Sequence, residues 1–268
     1  MKILAVKIKE FFNICKYYLY HRSDYEFDMQ KLIKRKRSKR AFIIATGPSI
    51  KRLDLSLLSG KDCFTISNAF LHDEIKAINP IVHGFCSYHK PMEESNYINW
   101  IRMSSCRLPE STFIFTPTQN EKYINSITIN GRNIVYAYFS YMGQYIWPFA
   151  KMISMSPQTG PLLMLPLVIS LGYSEIYLIG CDHTVLRDFG KNVTNFYNPE
   201  AEVRKNATDS NTWPDIRSEL KANIIVFNQY EFYEMYAKKM GVKIFNLSDD
   251  SWLQLFPFAD YDEVVNRI

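Results

Sequence analysis

Glycine and proline are scarce in this chain, 10 and 12 among 268 residues. That scarcity excludes collagen-like repeats and Gly/Pro-rich linkers. The five cysteines (Cys15, Cys63, Cys86, Cys106 and Cys181) are odd in number and form no CxxC pair. Neither a disulfide framework nor a structural zinc site is expected, and a reducing compartment fits. No apolar run is long enough for a secretory core or a membrane span. Lys7 and Glu10 interrupt the N-terminal one, and Pro157, Gly160, Pro161 and Pro166 break the uncharged stretch 152–174. The GxSxG elbow, the GxGxxG fingerprint and the Walker A loop are absent. So is any His/Cys/Asp cluster with metal-ligand spacing, and no metal site is expected.

What is present is apolar mass: 47% hydrophobic residues, 15% aromatic. That suffices for one large domain with a sizeable core and excludes intrinsic disorder. The net charge of +5 is uneven. Residues 1–40 carry 12 Lys/Arg against 4 Asp/Glu, while the remainder is slightly acidic, so no nucleic-acid partner is implied. In this arm Leu4, Ile8, Phe11, Cys15 and Tyr18 recur at helical spacing, with Lys2, Lys9 and Lys16 spaced by sevens. Asp24, Glu26 and Asp28 follow, then a basic cluster from Lys34 to Arg40. Two readings stay open: a peripheral contact with anionic lipid, or a helix packed on the domain and followed by a solvated charge run.

From residue 41 onward, β-branched and aromatic runs alternate with helical patterns. Strands are predicted near Ala41–Ala45, Cys63–Ser67, Ile81–Cys86, Thr112–Phe115, Ile134–Phe139, Glu175–Ile179 and Val242–Asn246. Helices are predicted near Glu93–Met103, Pro161–Leu171 and Ile225–Lys239. The alternation implies an α/β fold, a mostly parallel sheet with helices on both faces, covering residues 41–268. Residues 186–222 are polar and aperiodic, as a lid or binding loop would be. In such folds ligands bind at the carboxyl ends of the strands, so chemistry should follow strands directly.

Three segments do so. A buried strand from Ala41 runs into Thr46-Gly47-Pro48-Ser49, a turn suited to close backbone approach by a phosphate, or an ordinary strand–turn. Ser156-Pro-Gln-Thr-Gly-Pro161 precedes the apolar helix, so Thr159 and Gly160 either offer free amides to an anion or form a plain N-cap. Gly172-Tyr-Ser-Glu-Ile-Tyr-Leu-Ile-Gly-Cys-Asp-His-Thr184 delivers Gly180, Asp182 and His183 to a strand end, where an Asp–His pair can orient a ligand and move a proton. Asp260-Tyr-Asp262 has the DxD form of a metal–nucleotide ligand but reads better as a solvated pair. His21, His72, His83 and His89 have no partner visible in the sequence. The sequons at Asn192, Asn206 and Asn246 carry no weight without a secretory signal.

Together these segments resemble glycosyltransferase family 42, the bacterial CMP-sialic-acid-dependent sialyltransferases. The family has N-G-P-S-L after its first strand, C-N-x-F after its second, T-S-G before a core helix and L-G-Y-x-E-I-Y-L-x-G-x-D after it. Here those blocks read Ala45-Thr-Gly-Pro-Ser-Ile50, Ile66-Ser-Asn-Ala-Phe70, Thr159-Gly160 and Leu171 to Asp182. They also occur, more loosely, in motility-accessory-factor transferases and 6-hydroxymethylpterin pyrophosphokinase-like proteins. The resemblance implies a single Rossmann-like, GT-A-variant domain that takes a CMP-sugar as substrate, with no cofactor and no essential metal. Carried over by position, Thr46, Gly47, Pro48, Ser49 and Asn68 meet the nucleotide, Thr159 and Gly160 hold the phosphate, and Asp182 closes the pocket. Thr46 stands where the family has Asn. Thr184 replaces a phosphate-binding Tyr, a role that Tyr197 can supply from the lid. His183 replaces a Phe, and no histidine matches the family's lid base near Asn223 and Ile224.

The expectation is therefore an inverting glycosyltransferase for a CMP-activated ulosonic acid (sialic acid, Kdo or a relative), with His183 as base beside Asp182. It would build a bacterial surface glycan such as lipopolysaccharide or capsule. Its partners would be a nucleotide-sugar donor, a glycan or glycolipid acceptor and the inner face of the cytoplasmic membrane, with room for self-association. The alternatives are a pyrophosphokinase-like nucleotide enzyme and a non-catalytic nucleotide-binding subunit.

Overall fold

The computed structural model describes residues 2–90, 92–127, 132–140, 153–191, 195–203 and 215–267. Its centre is a parallel sheet whose strands alternate strictly in which face they bury. Ala41 and Ile43 point to one side of β1 (Arg40–Ile44), and Phe42 and Ile44 to the other. Every one of these residues is buried, so β1 is covered on both faces, as parallel strands generally are. Beside it stand β2 (Cys63–Ile66), β3 (Val82–Gly84), β4 (Phe113–Pro117), β5 (Ile134–Ser140) and β6 (Ile153–Met155). On its other flank stand β7 (Glu175–Ile179) and β8 (Lys243–Asn246). The order is β6-β5-β4-β3-β2-β1-β7-β8, and every pairing is parallel. The direction of strand addition reverses at β1, so the crevice between the ends of β1 and β7 is a topological switch point.

One face of the sheet is covered by α1 (Lys2–Arg35), α5 (Gly160–Ser170) and α6 (Ile216–Lys239), which share the largest core cluster. The other carries α3 (Glu94–Arg107) and α4 (Glu121–Asn125) at one end. At the other end are α7 (Tyr261–Asn266) and a 3-10 turn at Leu55–Leu58. A one-turn helix, α2 (Ile75–Ile78), links β2 to β3. No helix among the described residues is long and apolar enough to cross a membrane.

Several elements differ from the sequence expectation. The arm is one continuous helix that runs through the acidic patch and lays Tyr17, Tyr25, Met29 and Leu32 into the core. Part of the basic cluster ties the helix to the domain. Arg35 donates to the Ser111 carbonyl, Lys36 to the Gly172 carbonyl at 2.5 Å, and Arg40 to the Arg267 carbonyl at 2.8 Å. Helix α6 starts nine residues before Ile225, because Asp215 caps it by accepting from Ser218 N at 2.9 Å. Asp260 likewise caps α7, accepting from Glu263 N at 2.8 Å, so the DxD pair is helix-cap chemistry. The Asn246 side chain is fully buried, and Asn192 and Asn206 lie outside the described residues. Strand β6 and the short helices α2, α4 and α7 have too few residues to print a period.

Candidate active site

The switch point is open. A cleft of about 270 Å³ lies there, walled by the residues that follow β1, β2 and β7 and by the start of α5. Thr46, Gly47, Pro48, Thr159, Gly160, Asp182, His183 and Thr184 all line it, from three separate segments of the chain. Ser67, Asp188 and Asn195 complete its polar wall.

The first turn is built around Asp182. Its carboxylate accepts from Ser49 N at 2.9 Å and from Ser49 Oγ at 2.5 Å, and all of these atoms are buried. Gly47 N donates to the Gly180 carbonyl at 2.9 Å. A Cβ at Gly47 would collide with the Asp182 carboxylate and would stand 2.5 Å from the Gly180 oxygen, so only glycine fits. Gly180, at φ +68, allows the return approach, and a Cβ there would meet Ile50 Cδ1 at 2.5 Å. The amides of Gly47 and Ser49 are thus spent on internal bonds. This turn shapes the cleft and fixes Asp182; it is not itself a bank of free donors.

Free donors lie opposite. Thr159 is the N-cap of α5 in extended conformation, yet its side chain caps nothing. Its Oγ1 is buried, close to the Tyr230 phenol, and has no hydrogen-bond partner of normal geometry. The first amides of an α-helix have no intrahelical acceptor, and the helix dipole adds partial positive charge there. The N-terminus of this eleven-residue helix opens into the cleft. Gly160 makes that possible: a Cβ there would stand 2.5 Å from Ile66 Cδ1, so β2 and α5 pack as closely as they do only because the side chain is missing.

His183 has φ +51, a left-handed conformation that costs a non-glycine residue roughly 1–2 kcal/mol. Ser67, at φ +54, is the other non-glycine cleft residue held this way. Such strain persists only where surroundings over-determine it. Around His183 they do: Trp252 N donates to the Asp182 carbonyl at 2.8 Å, and His183 Nε2 lies 2.8 Å from Tyr230 OH. The ring also packs edge-on against Phe227 and Tyr230. Burial pushes its pKa from the usual 6.5 down to about 4, so the imidazole is neutral at physiological pH. Burial pushes the Tyr230 phenol up, so it stays protonated.

Three candidate residues stand behind the cleft wall. Ser49 is occupied by Asp182. Asn68 is fully buried, accepts from Trp100 Nε1 at 2.5 Å and donates from Nδ2 to Glu202 Oε2 at 2.9 Å. Tyr197 OH donates to the same Glu202 oxygen at 2.9 Å. Glu202 therefore joins the turn after β2 to the segment 195–203, which is also pinned by Phe196 N donating to the Thr46 carbonyl at 3.3 Å. At the rim, Arg187 bonds both Asp188 and Asp250, the latter at 2.6 Å.

Tyr230 and Glu202 carry no motif. Only Tyr230's place on the buried stripe Val226, Tyr230, Tyr233, Ala237 marks it as inward-facing. His83 lies deep under the sheet's middle, Nδ1 2.9 Å from Thr65 Oγ1, and His21 and His89 are exposed. Among the described residues, no group of three or more His, Cys, Asp or Glu is placed to hold a metal ion.

No protein-family model matches the chain, and no curated protein matches it in sequence. Solved structures do match in fold. The sialyltransferase CstII, in complex with a trisaccharide acceptor and CMP, is 19% identical over 85% of this chain and 89% of its own, with a TM-score of 0.50. A single-residue variant of it bound to CMP is 20% identical over 86% and 90%, with the same TM-score of 0.50. CstII comes from Campylobacter jejuni, and a third structure of it, with a CMP-sugar analogue, is 19% identical over 86% and 90% at a TM-score of 0.48. In fold, this chain is similar to the sialyltransferase CstII along nearly all of both chains.

Proposed function

We propose that the protein is an inverting glycosyltransferase that moves a CMP-activated ulosonic acid, such as sialic acid or Kdo, onto a hydroxyl of a bacterial surface glycan. The observation that carries this reading is the α5 N-terminus, with a Thr159 side chain that does not cap it, opening into a cleft at the switch point. A phosphate group is an anion that such an end receives. The fold shared with a CMP-binding sialyltransferase favours cytidine as the attached nucleoside.

In the reaction the acceptor hydroxyl attacks the anomeric carbon, its C–O bond forms, and the bond from that carbon to the phosphate oxygen breaks. CMP leaves with the electron pair, its charge met by the α5 amides and the Thr159 hydroxyl. One displacement inverts the centre. The acceptor proton passes to His183. With Nε2–H donating to Tyr230 OH, Nδ1 keeps its lone pair, so Tyr230 acts as the group that orients the base. The lowered pKa keeps that lone pair free well below neutrality. The segment 195–203, latched through Glu202, limits water at the nucleotide side and so limits donor hydrolysis. The leaving phosphate is stabilised by backbone amides and a hydroxyl, and no divalent metal is assigned to the reaction.

The test is turnover of CMP-sialic acid and CMP-Kdo with excess EDTA, with and without a glycan acceptor, the product anomer being read by NMR. Acceptor-dependent CMP release with inversion is expected. Release of AMP from ATP and magnesium, with no reaction of either CMP-sugar, would replace this reading with the pyrophosphokinase one.

A further inference from the structure

Helix α1 has two apolar faces, and the core uses one. Ile14, Tyr17, Tyr25, Met29 and Leu32 are buried. At 100° per residue, Ile8, Phe12 and Leu19 fall within about 40° of each other on a different face. Phe12 and Leu19 keep 65% and 76% of their surface exposed, and Ile8 keeps 50%. Lys9 and Lys16, both exposed, flank this stripe, and Lys2 follows them at the same sevenfold spacing. Across residues 1–22 there are five Lys/Arg and one acidic residue, Glu10, which is buried and accepts from Tyr138 OH. The exposed stripe is therefore bordered by positive charge alone. The next acidic residues of α1 are Asp24, Glu26 and Asp28, beyond the stripe.

The direction of α1 adds the second half. Lys31 Nζ reaches Asn133 just before β5, Tyr17 OH donates to the Tyr136 carbonyl within it, and Tyr138 near its end donates to Glu10. As α1 is read backwards, β5 is read forwards, so α1 runs antiparallel to the strands. Residues 2–9 lie past that last contact, about 12 Å of helix at 1.5 Å per residue. They lie at the carboxyl edge of the sheet, the edge that holds the cleft. β5 stands three strands from β2, roughly 14 Å at normal strand spacing.

The geometry points to anionic bilayer as the occupant of this face: Ile8, Phe12 and Leu19 enter the headgroup region, Lys9 and Lys16 meet lipid phosphates, and the cleft mouth is turned toward the membrane, so that its acceptor is carried on a lipid. The naming of the acceptor rests on the transferase reading above; the docking does not. Apolar side chains beside lysines on one helical face are what an interfacial helix needs, and each basic residue adds about 1 kcal/mol at an anionic surface. A second copy of the chain would present like charge to like.

The full chain is tested on phosphatidylglycerol-containing and pure phosphatidylcholine vesicles, without nucleotide, so the outcome is separate from that of any CMP experiment. Binding to the anionic vesicles alone is expected, weakened about tenfold or more by Lys9→Glu/Lys16→Glu and by Phe12→Ser/Leu19→Ser. Thermal midpoints should stay unchanged, because these side chains are exposed. Orientation is read with a fluorophore at Val185→Cys, on the cleft rim, or at native Cys106, near the C-terminal end of α3 and the opposite edge, each in a chain whose other exposed or half-exposed cysteines are serine. Spin-labelled lipid should quench the first and spare the second. Equal binding by the variants, no binding by the wild type, stronger quenching at Cys106, or a dimer that Phe12→Ser/Leu19→Ser dissociates in place of vesicle binding would each overturn the proposal.

Discussion

Ser49 and Asp182 are joined twice, backbone amide and hydroxyl both donating to one buried carboxylate across 133 residues of sequence. That pair locks the turn after β1 to the turn after β7 and leaves Gly47 no room for a side chain. Asp182→Ala should strand two buried donors and cost on the order of 2–4 kcal/mol, and Ser49→Ala about half as much. Chemical denaturation checks both, and equal small losses would contradict the buried pairing.

Gly160→Ala should weaken CMP binding by disturbing the α5 N-terminus, because the new Cβ meets Ile66 Cδ1. Ile66→Val removes that Cδ1 atom. Calorimetry on the double variant should recover most of the lost affinity. Failure of Ile66→Val to rescue would mean that Gly160 matters for another reason.

If His183 is the base, His183→Ala should lower transfer by roughly 10²–10⁴-fold while CMP binding persists. Tyr230→Phe should lower kcat by a smaller factor, since it removes only the orienting hydroxyl. The acid limb of the rate profile should lie near pH 4, the value at which the buried imidazole gains its proton, and not near 6.5. Near-normal transfer by His183→Phe would exclude it as base and turn attention to Asp188, a second carboxylate on the cleft wall.

Stability should track the same burial. His183 titrates near 4 and His83 near 3 in the folded protein, both below the usual 6.5. Between those values and 6.5 the unfolded chain takes up protons that the folded chain does not, so stability is complete above about 6.5 and falls as pH drops toward 4. Urea midpoints across that window should fall less steeply in His183→Phe. An unchanged slope would mean that the ring is solvated.

The parallel α/β sheet was legible because its buried strands and core helix are continuous apolar runs, as in Glu175–Ile179 and Pro161–Leu171, whereas the strand order is set by pairings that no local pattern encodes. The cleft followed, since chemistry must sit after strands that end at the switch point. The start of α6 was hidden because Arg217, Glu219 and Lys221 mask its first turns, and only Asp215 with Ser218 signals the cap. Asn68 and Tyr197 were legible as polar residues near the site, but their meeting at Glu202 depends on a contact 134 residues apart in sequence that no local pattern encodes.

Whether this cleft receives CMP through protein groups alone is decided by thermal unfolding with CMP, CDP, UDP, GDP and ATP, each with EDTA and with magnesium. CMP at a hundredfold excess over its Kd should stabilise the protein by about 2.7 kcal/mol, equally in EDTA and in magnesium. Stabilisation by UDP or by ATP with magnesium, and none by CMP, would mean that the cleft is built for a different nucleotide.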